Sequence, residues 1–159
     1  MNLNNFTIKS QEAIQQAFTI AQGYNHQAIE PAHLLKGILS QSENVTGFIL
    51  RKLGVNTSTF DSVLDRILES YPKVSGTEQY LSSASSRVLQ KSLEYSKEMG
   101  DQFVSIEHIL LGLLSAGDQV SQMMKDAGVT EKELKLAMKE LRKGSTVNSQ
   151  TAEDTYNAL

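Results

Sequence analysis

Two twelve-residue stretches of this chain nearly coincide. AIEPAHLLKGIL runs from Ala28 to Leu39, and FVSIEHILLGLL runs from Phe103 to Leu114. His33 and His108 stand 75 positions apart, and so do Gly37 and Gly112. Solenoid and propeller repeats have periods of about 20–50 residues, so this spacing is too long for a stacked array and suits a duplicated helical half-domain. Two similar halves packed together create a seam, and a seam is where a chain without catalytic motifs is expected to carry its function.

Each half reads as four short helices. The first is predicted over about Ile8 to Gln22, capped by Thr7, whose hydroxyl can accept from an orphan amide of the first turn. Ile14, Phe18 and Ala21 form one stripe, with Ala13 and Ala17 beside it permitting close approach of a second helix. The matching helix starts near Ser82 and carries Val88, Leu89, Ser92, Leu93 and Ser96. The second helices open at Pro31, whose missing amide hydrogen is not needed in a first turn, and after Ser105. Gly37 and Gly112 fall inside them, at a cost of about 1 kcal/mol each relative to alanine, which predicts another backbone passing close by. The third helices, about Val45 to Leu53 and Val120 to Ala127, end at the pairs Gly54-Val55 and Gly128-Val129, as left-handed caps do. The fourth run from about Ser58 to Ser70 and Glu131 to Lys143, with Phe60, Val63, Leu64 and Ile67 matching Leu134, Ala137, Met138 and Leu141.

The predicted fold class is therefore all-α: two pseudo-symmetric four-helix repeats packed into one globular domain over residues 1–143. Repeat one spans about 7–70 and repeat two about 82–143, joined by 71–81. Strand signals are nearly absent, and Phe103-Val104 is too short to count. From Gly144 the chain turns polar and aperiodic and reads as a linker, with helical periodicity restarting at Tyr156 to Leu159. That ending suggests a piece of a longer protein.

Composition removes several classes of function. Net charge is −3 and no dense basic stripe is present, so nucleic acid is not an expected partner. Lys132, Lys135, Lys139, Arg142 and Lys143 alternate with Glu131, Glu133 and Glu140 and read as a solvated helix face. Cysteine is absent, which excludes disulfides and thiolate chemistry and fits a reducing compartment. The polar N-terminus has no signal-peptide core, and the longest apolar run, Ile109 to Leu114, is far too short for a bilayer. A cytoplasmic location without a membrane partner is expected, and the isolated segment is expected to be a monomer.

Nor is catalytic chemistry apparent. No phosphate-binding GxxxxGK[ST] loop, HExxH or GxSxG pattern occurs. His33 and His108 each sit in a helical first turn and are expected to bond to backbone rather than to metal. Asp101 and Glu107 flank the start of a second-half helix, where capping or a polar rim around an apolar groove is a better account than paired acid–base work. Met99, Met123, Met124 and Met138 are expected as core filler. No metal and no cofactor is expected in this segment.

The doubled helical unit, with HLLKGIL and HILLGLL at its centre, resembles the Clp amino-terminal repeat domain that heads the AAA+ unfoldases ClpA, ClpC and ClpB. The resemblance covers about Asn5 to Lys143. Asn4-Asn5-Phe6-Thr7 and the stretch Ser145 to Leu159 are similar to the ClpB disaggregase branch, where that stretch would be a linker toward an AAA+ module. The resemblance implies a non-catalytic domain that recruits unfolded or aggregated polypeptide and delivers it to a hexameric ring. ATP and Mg would be bound by the ring's own modules, and the DnaK system would be met through other regions. It also implies a substrate-contacting surface near the seam, with Thr7, Asp101 and Glu107 at polar positions, Leu89 at an apolar one, and His108 among them. His108 departs from relatives that carry an aliphatic residue there. The alternative within the family is an adaptor-docking domain of ClpC or ClpA type.

Overall fold

A computed structural model describes residues 2–41, 45–74, 76, 78–143 and 146–155. Its helices follow the duplicated pattern. In the first half they are α1 (Ile8–Gly23), α2 (Pro31–Leu39), α3 (Val45–Lys52) and α4 (Thr57–Ser70). In the second they are α5 (Ser83–Glu98), α6 (Ile106–Leu114), α7 (Gln119–Asp126) and α8 (Glu131–Arg142). A short 3₁₀ turn, η1 (Ala152–Thr155), follows. The expected all-α class and double repeat hold.

Local chemistry explains the helix ends. Thr7 and Ser82 cap α1 and α5 by accepting from Ser10 N and Ser85 N. At the far ends of α3 and α7, Gly54 and Gly128 take φ values of +75° and +99°. Val55 N and Val129 N then donate back to Leu50 O and Met124 O, both at 2.9 Å. This is the six-to-one bond that a left-handed glycine makes possible.

The interior glycines mark close helix crossings. A Cβ on Gly37 would collide with Ala13 O and come within 3.1 Å of Ala17 N. A Cβ on Gly112 would lie 2.6 Å from Val88 O and 2.5 Å from Ser92 Oγ. α2 therefore lies backbone-to-backbone against α1, and α6 against α5. Leu34, Leu35, Ile38, Ile109, Leu111 and Leu113 fill the interior around these crossings. All nine residues of α6 are buried, so its two polar members, Glu107 and His108, must find partners inside the protein.

The halves are joined by short β pairings that the strand reading did not anticipate. β1 (Ala28–Ile29) pairs in parallel with β2 (Tyr80–Leu81), and Phe6 forms a single parallel bridge to Val104. Each pairing sets the residues leading into one half's first helix beside those leading into the other half's second helix. Thr7 N donates to Val104 O at 3.0 Å, and Ser82 N donates to Ile29 O at 3.1 Å. The same carbonyls accept from Ser10 Oγ (3.0 Å) and Ser85 Oγ (2.6 Å). Two-residue strands offer no alternation to detect, so hydropathy alone could not reveal them. Farther along the interface Lys52 of α3 pairs with Glu140 of α8.

Candidate functional site

The Phe6–Val104 pairing brings the N-termini of α1 and α6 side by side at one end of the seam. Four of the five sequence-predicted site residues meet there. Thr7 caps α1, Asp101 precedes α6, and Glu107 and His108 lie in its first turn; Thr7, Glu107 and His108 are fully buried and Asp101 nearly so. Leu89 lies elsewhere, in the apolar core on α5.

His108 organises the polar cluster. Ser105 N donates to its Nδ1 at 2.9 Å, which assigns the ring proton to Nε2. Nε2 then donates to Asp101 Oδ2 at 2.8 Å. Arg142, from the end of α8, completes the set. Its Nη1 donates to Asp101 Oδ2 at 2.8 Å and its Nε to Glu107 Oε2 at 3.0 Å. Burial alone would raise the Asp101 carboxyl, but the bonds from His108, the Val147 amide and Arg142 outweigh it and hold the group below its usual range.

Arg142 corrects the reading of α8 as bearing only a solvated basic face, because it is 7% exposed. Leu134, Met138, Leu141 and Arg142 follow the i, i+4, i+7, i+8 spacing of a buried stripe, which was the available signal. Asp101 and Glu107 likewise do not form an exposed polar rim. They are interior members of this ion cluster.

The equivalent place in the first half is built from different chemistry. Glu30 N donates to His33 Nδ1 at 2.9 Å, so His33 repeats the role of His108. Its Nε2 meets His26 Nδ1 at 2.8 Å, where the second half has Asp101. His26 stacks on Tyr24 with ring centroids 5.0 Å apart, and its own Nε2 is buried without a hydrogen-bond partner. Burial, then the neighbouring His26, lowers His33 to about 4. Ala32 and Leu68 stand where Glu107 and Arg142 stand in the other half. The ionic cluster is thus one coherent replacement of a neutral one.

The segment expected as a linker adds a further layer. Gly144, Ser145 and Tyr156 to Leu159 lie outside the described residues, but 146–155 lies along the seam. Gln102 N and Phe103 N donate to Val147 O at 2.8 and 3.2 Å. Val147 N donates to Asp101 Oδ1 at 2.9 Å, and the Val147 side chain is fully buried. Ile8 N, the first amide of α1, donates to Gln150 O at 2.8 Å. Ile106 N, the first amide of α6, donates to Glu153 Oε2 at 3.0 Å, and Thr7 Oγ1 donates to the same oxygen at 2.8 Å. Burial, then the nearby Glu107 carboxylate, raises Glu153 to about 7. The first half has Pro31 where the second has Ile106, so no amide awaits a carboxylate at the equivalent place.

Beside this segment an open groove of about 460 Å³ is lined by Met99, Leu136, Met138 and the lysines 132, 135 and 139. Among the described residues no group of three His, Asp or Glu side chains is placed to hold a metal, and no helix is long and apolar enough to cross a membrane.

Residues 5–127 match the family model described as the Clp repeat (R) N-terminal domain. The whole chain is 58% identical over 159 residues to chaperone protein ClpB of Bacteroides thetaiotaomicron and 47% identical to that of Porphyromonas gingivalis. In both cases it spans 18% of the relative's length. Among solved structures, the Hsp104 N-terminal domain from Candida albicans superposes with a TM-score of 0.81 at 22% identity, covering 94% of this chain and 99% of that one. The N-terminal domain of ClpD from Arabidopsis thaliana gives 0.65 at 24% identity, covering 86% and 96%. The duplicated helices, the paired glycine crossings and these matches agree that the chain belongs to the Clp repeat N-terminal domain family.

Proposed function

We propose that this domain recruits unfolded or aggregated polypeptide for a ClpB-type disaggregase and performs no catalysis itself. The seam at Thr7, Asp101, Glu107 and His108 is the contact region, and a hexameric AAA+ ring attached beyond residue 159 receives the substrate. ATP and Mg belong to that ring, the DnaK system engages it through other regions, and the assembly works in the cytoplasm. Residues 144–159 connect the domain to the ring. The observation that carries this reading is the chain segment seated on the seam, held largely through main-chain groups. A surface that holds backbone can hold many sequences, which suits a partner without a fixed sequence.

The energetics fit a recruiting role. Apolar burial contributes about 25 cal/mol per Å². Ordering a flexible chain offsets much of that, so one domain binds weakly. Six tethered domains around a ring would recover affinity through effective concentration. Fluorescence anisotropy with one labelled protein in native and in permanently unfolded form tests the proposal. Binding of the unfolded form alone is expected. Preference for the folded form would favour the adaptor-docking alternative, and no binding of either would overturn recruitment by this domain.

A further inference from the structure

The segment 146–155 shows what the seam recognises. It combines a buried apolar side chain, Val147, with two accepting carbonyls, Val147 O and Gln150 O, and a carboxylate six residues after the valine. The seam supplies a matching donor for each. Gln102 N and Phe103 N meet the first carbonyl, Ile8 N meets the second, and Ile106 N with Thr7 Oγ1 meets the carboxylate. The first amides of two separate helices are satisfied by this one segment. Without it both are orphan donors at helix N-termini, which favour anionic and carbonyl oxygens.

We propose that residues 146–155 are a resident strap on the seam, and that incoming polypeptide enters by displacing it with an extended segment carrying an apolar side chain in the Val147 position and a side-chain oxygen acceptor, Gln or a protonated Glu, in the Glu153 position. The inference rests on the reading that the seam takes unfolded polypeptide. It adds a competitor built into the chain and a chemical preference for the segment taken. Only one end of the pseudo-symmetric seam serves, because Pro31 removes the amide that Ile106 provides.

Two variants of the full 159-residue chain act in opposite directions. Val147→Asp puts a charge into the apolar socket and releases the strap. Glu153→Gln keeps an acceptor for Ile106 N and Thr7 Oγ1 while removing the repulsion from Glu107, and so holds the strap more firmly. The probe is a fluorescein-labelled, reduced and carboxymethylated α-lactalbumin, followed by anisotropy at pH 8. Apparent affinity scales with the fraction of open seam, so V147D is expected to bind about tenfold more tightly than the parent chain, and E153Q more weakly than it. A synthetic peptide of residues 146–155 should compete with the probe on V147D, and the same peptide with Gln at the Glu153 position should compete better, because it too escapes the repulsion from Glu107.

Equal probe affinity for all three chains would overturn the strap while leaving recruitment intact. Failure of the probe to bind any of them would overturn recruitment itself. Equal or weaker competition by the Gln peptide would overturn the preference for a neutral acceptor at this position. Amide spectra of V147D that retain the dispersion of the parent chain exclude global unfolding, and E153Q supplies an independent reading in the other direction.

Discussion

Arg142 Nη1 lies 2.8 Å from Asp101 Oδ2, inside the protein, and the repeat has no counterpart to this ion pair in its other half. The same guanidinium binds Glu107, so one cation is shared by two buried carboxylates. Removing it by Arg142→Met should therefore destabilise the domain by about 3–5 kcal/mol, the usual cost of leaving buried charge unpaired. Asp101→His, Glu107→Ala and Arg142→Leu together copy the first half's neutral solution. The triple variant should recover about half the loss or more, since buried ion clusters are often replaceable as units. Urea unfolding checks both, and a triple variant no more stable than R142M would contradict the equivalence of the two clusters.

Gly37→Ala and Gly112→Ala should both destabilise, by about 1–3 kcal/mol through overpacking. On an open helix the same change would stabilise by about 1 kcal/mol. The sign thus reports whether the crossings are as tight as described. Gly37 should suffer more, because its new methyl group meets only backbone of α1, whereas at Gly112 the Ser92 side chain can move. Midpoints of urea denaturation decide the order.

The His26–His33 pair predicts loss of stability in acid. The folded pKa of His33 is depressed to about 4, with burial as the main cause and His26 second. The unfolded chain therefore binds the proton first. Stability from this ring is fully present above about 6.5 and falls as pH drops through about 4. An NMR titration of the His33 ring should show it neutral through pH 5. A midpoint near 6.5 would show that the ring is solvated.

Glu153 predicts the opposite dependence for strap docking. Burial and Glu107 raise its docked pKa to about 7, above the ordinary 4.5 it regains on release. Docking thus takes up a proton. It is strongest below pH 4.5 and weakens as pH rises through about 7. Glu107 of α6 faces the carboxyl and is itself held by Arg142 of α8, with Asp101 and His108 on the far side of that guanidinium. Exchange protection of the Ile106 amide, corrected for intrinsic rates, should fall across this window, and E153Q should flatten the curve.

Most of the fold was legible because the chain states it twice. Gly37 and Gly112 announced the crossings, and Gly54-Val55 and Gly128-Val129 announced the helix ends, since each rests on local backbone chemistry. Thr7 did the same as a cap, and Ser82 marked the start of the matching helix. The ion cluster was half legible: Asp101, Glu107 and His108 were singled out, but Arg142 was assigned to solvent because its basic neighbours set the impression. Its place on the Leu134–Met138–Leu141 stripe carried the opposite signal. Docking of residues 146–155 left no periodic trace, because one buried valine and one carboxylate in a polar stretch resemble any linker. Such contacts depend on donors that the fold assembles from positions near 8, 102 and 106, far away in sequence.

The proposed role places unfolded polypeptide on the seam beside Thr7 and Ile106. Amide shift mapping of the isotopically labelled domain, titrated with a permanently unfolded protein, tests it most directly. The largest changes are expected at Ile8, Gln102, Phe103 and Ile106, together with release of Val147. Changes confined to α4 and α7, with those amides and Val147 unmoved, would contradict it.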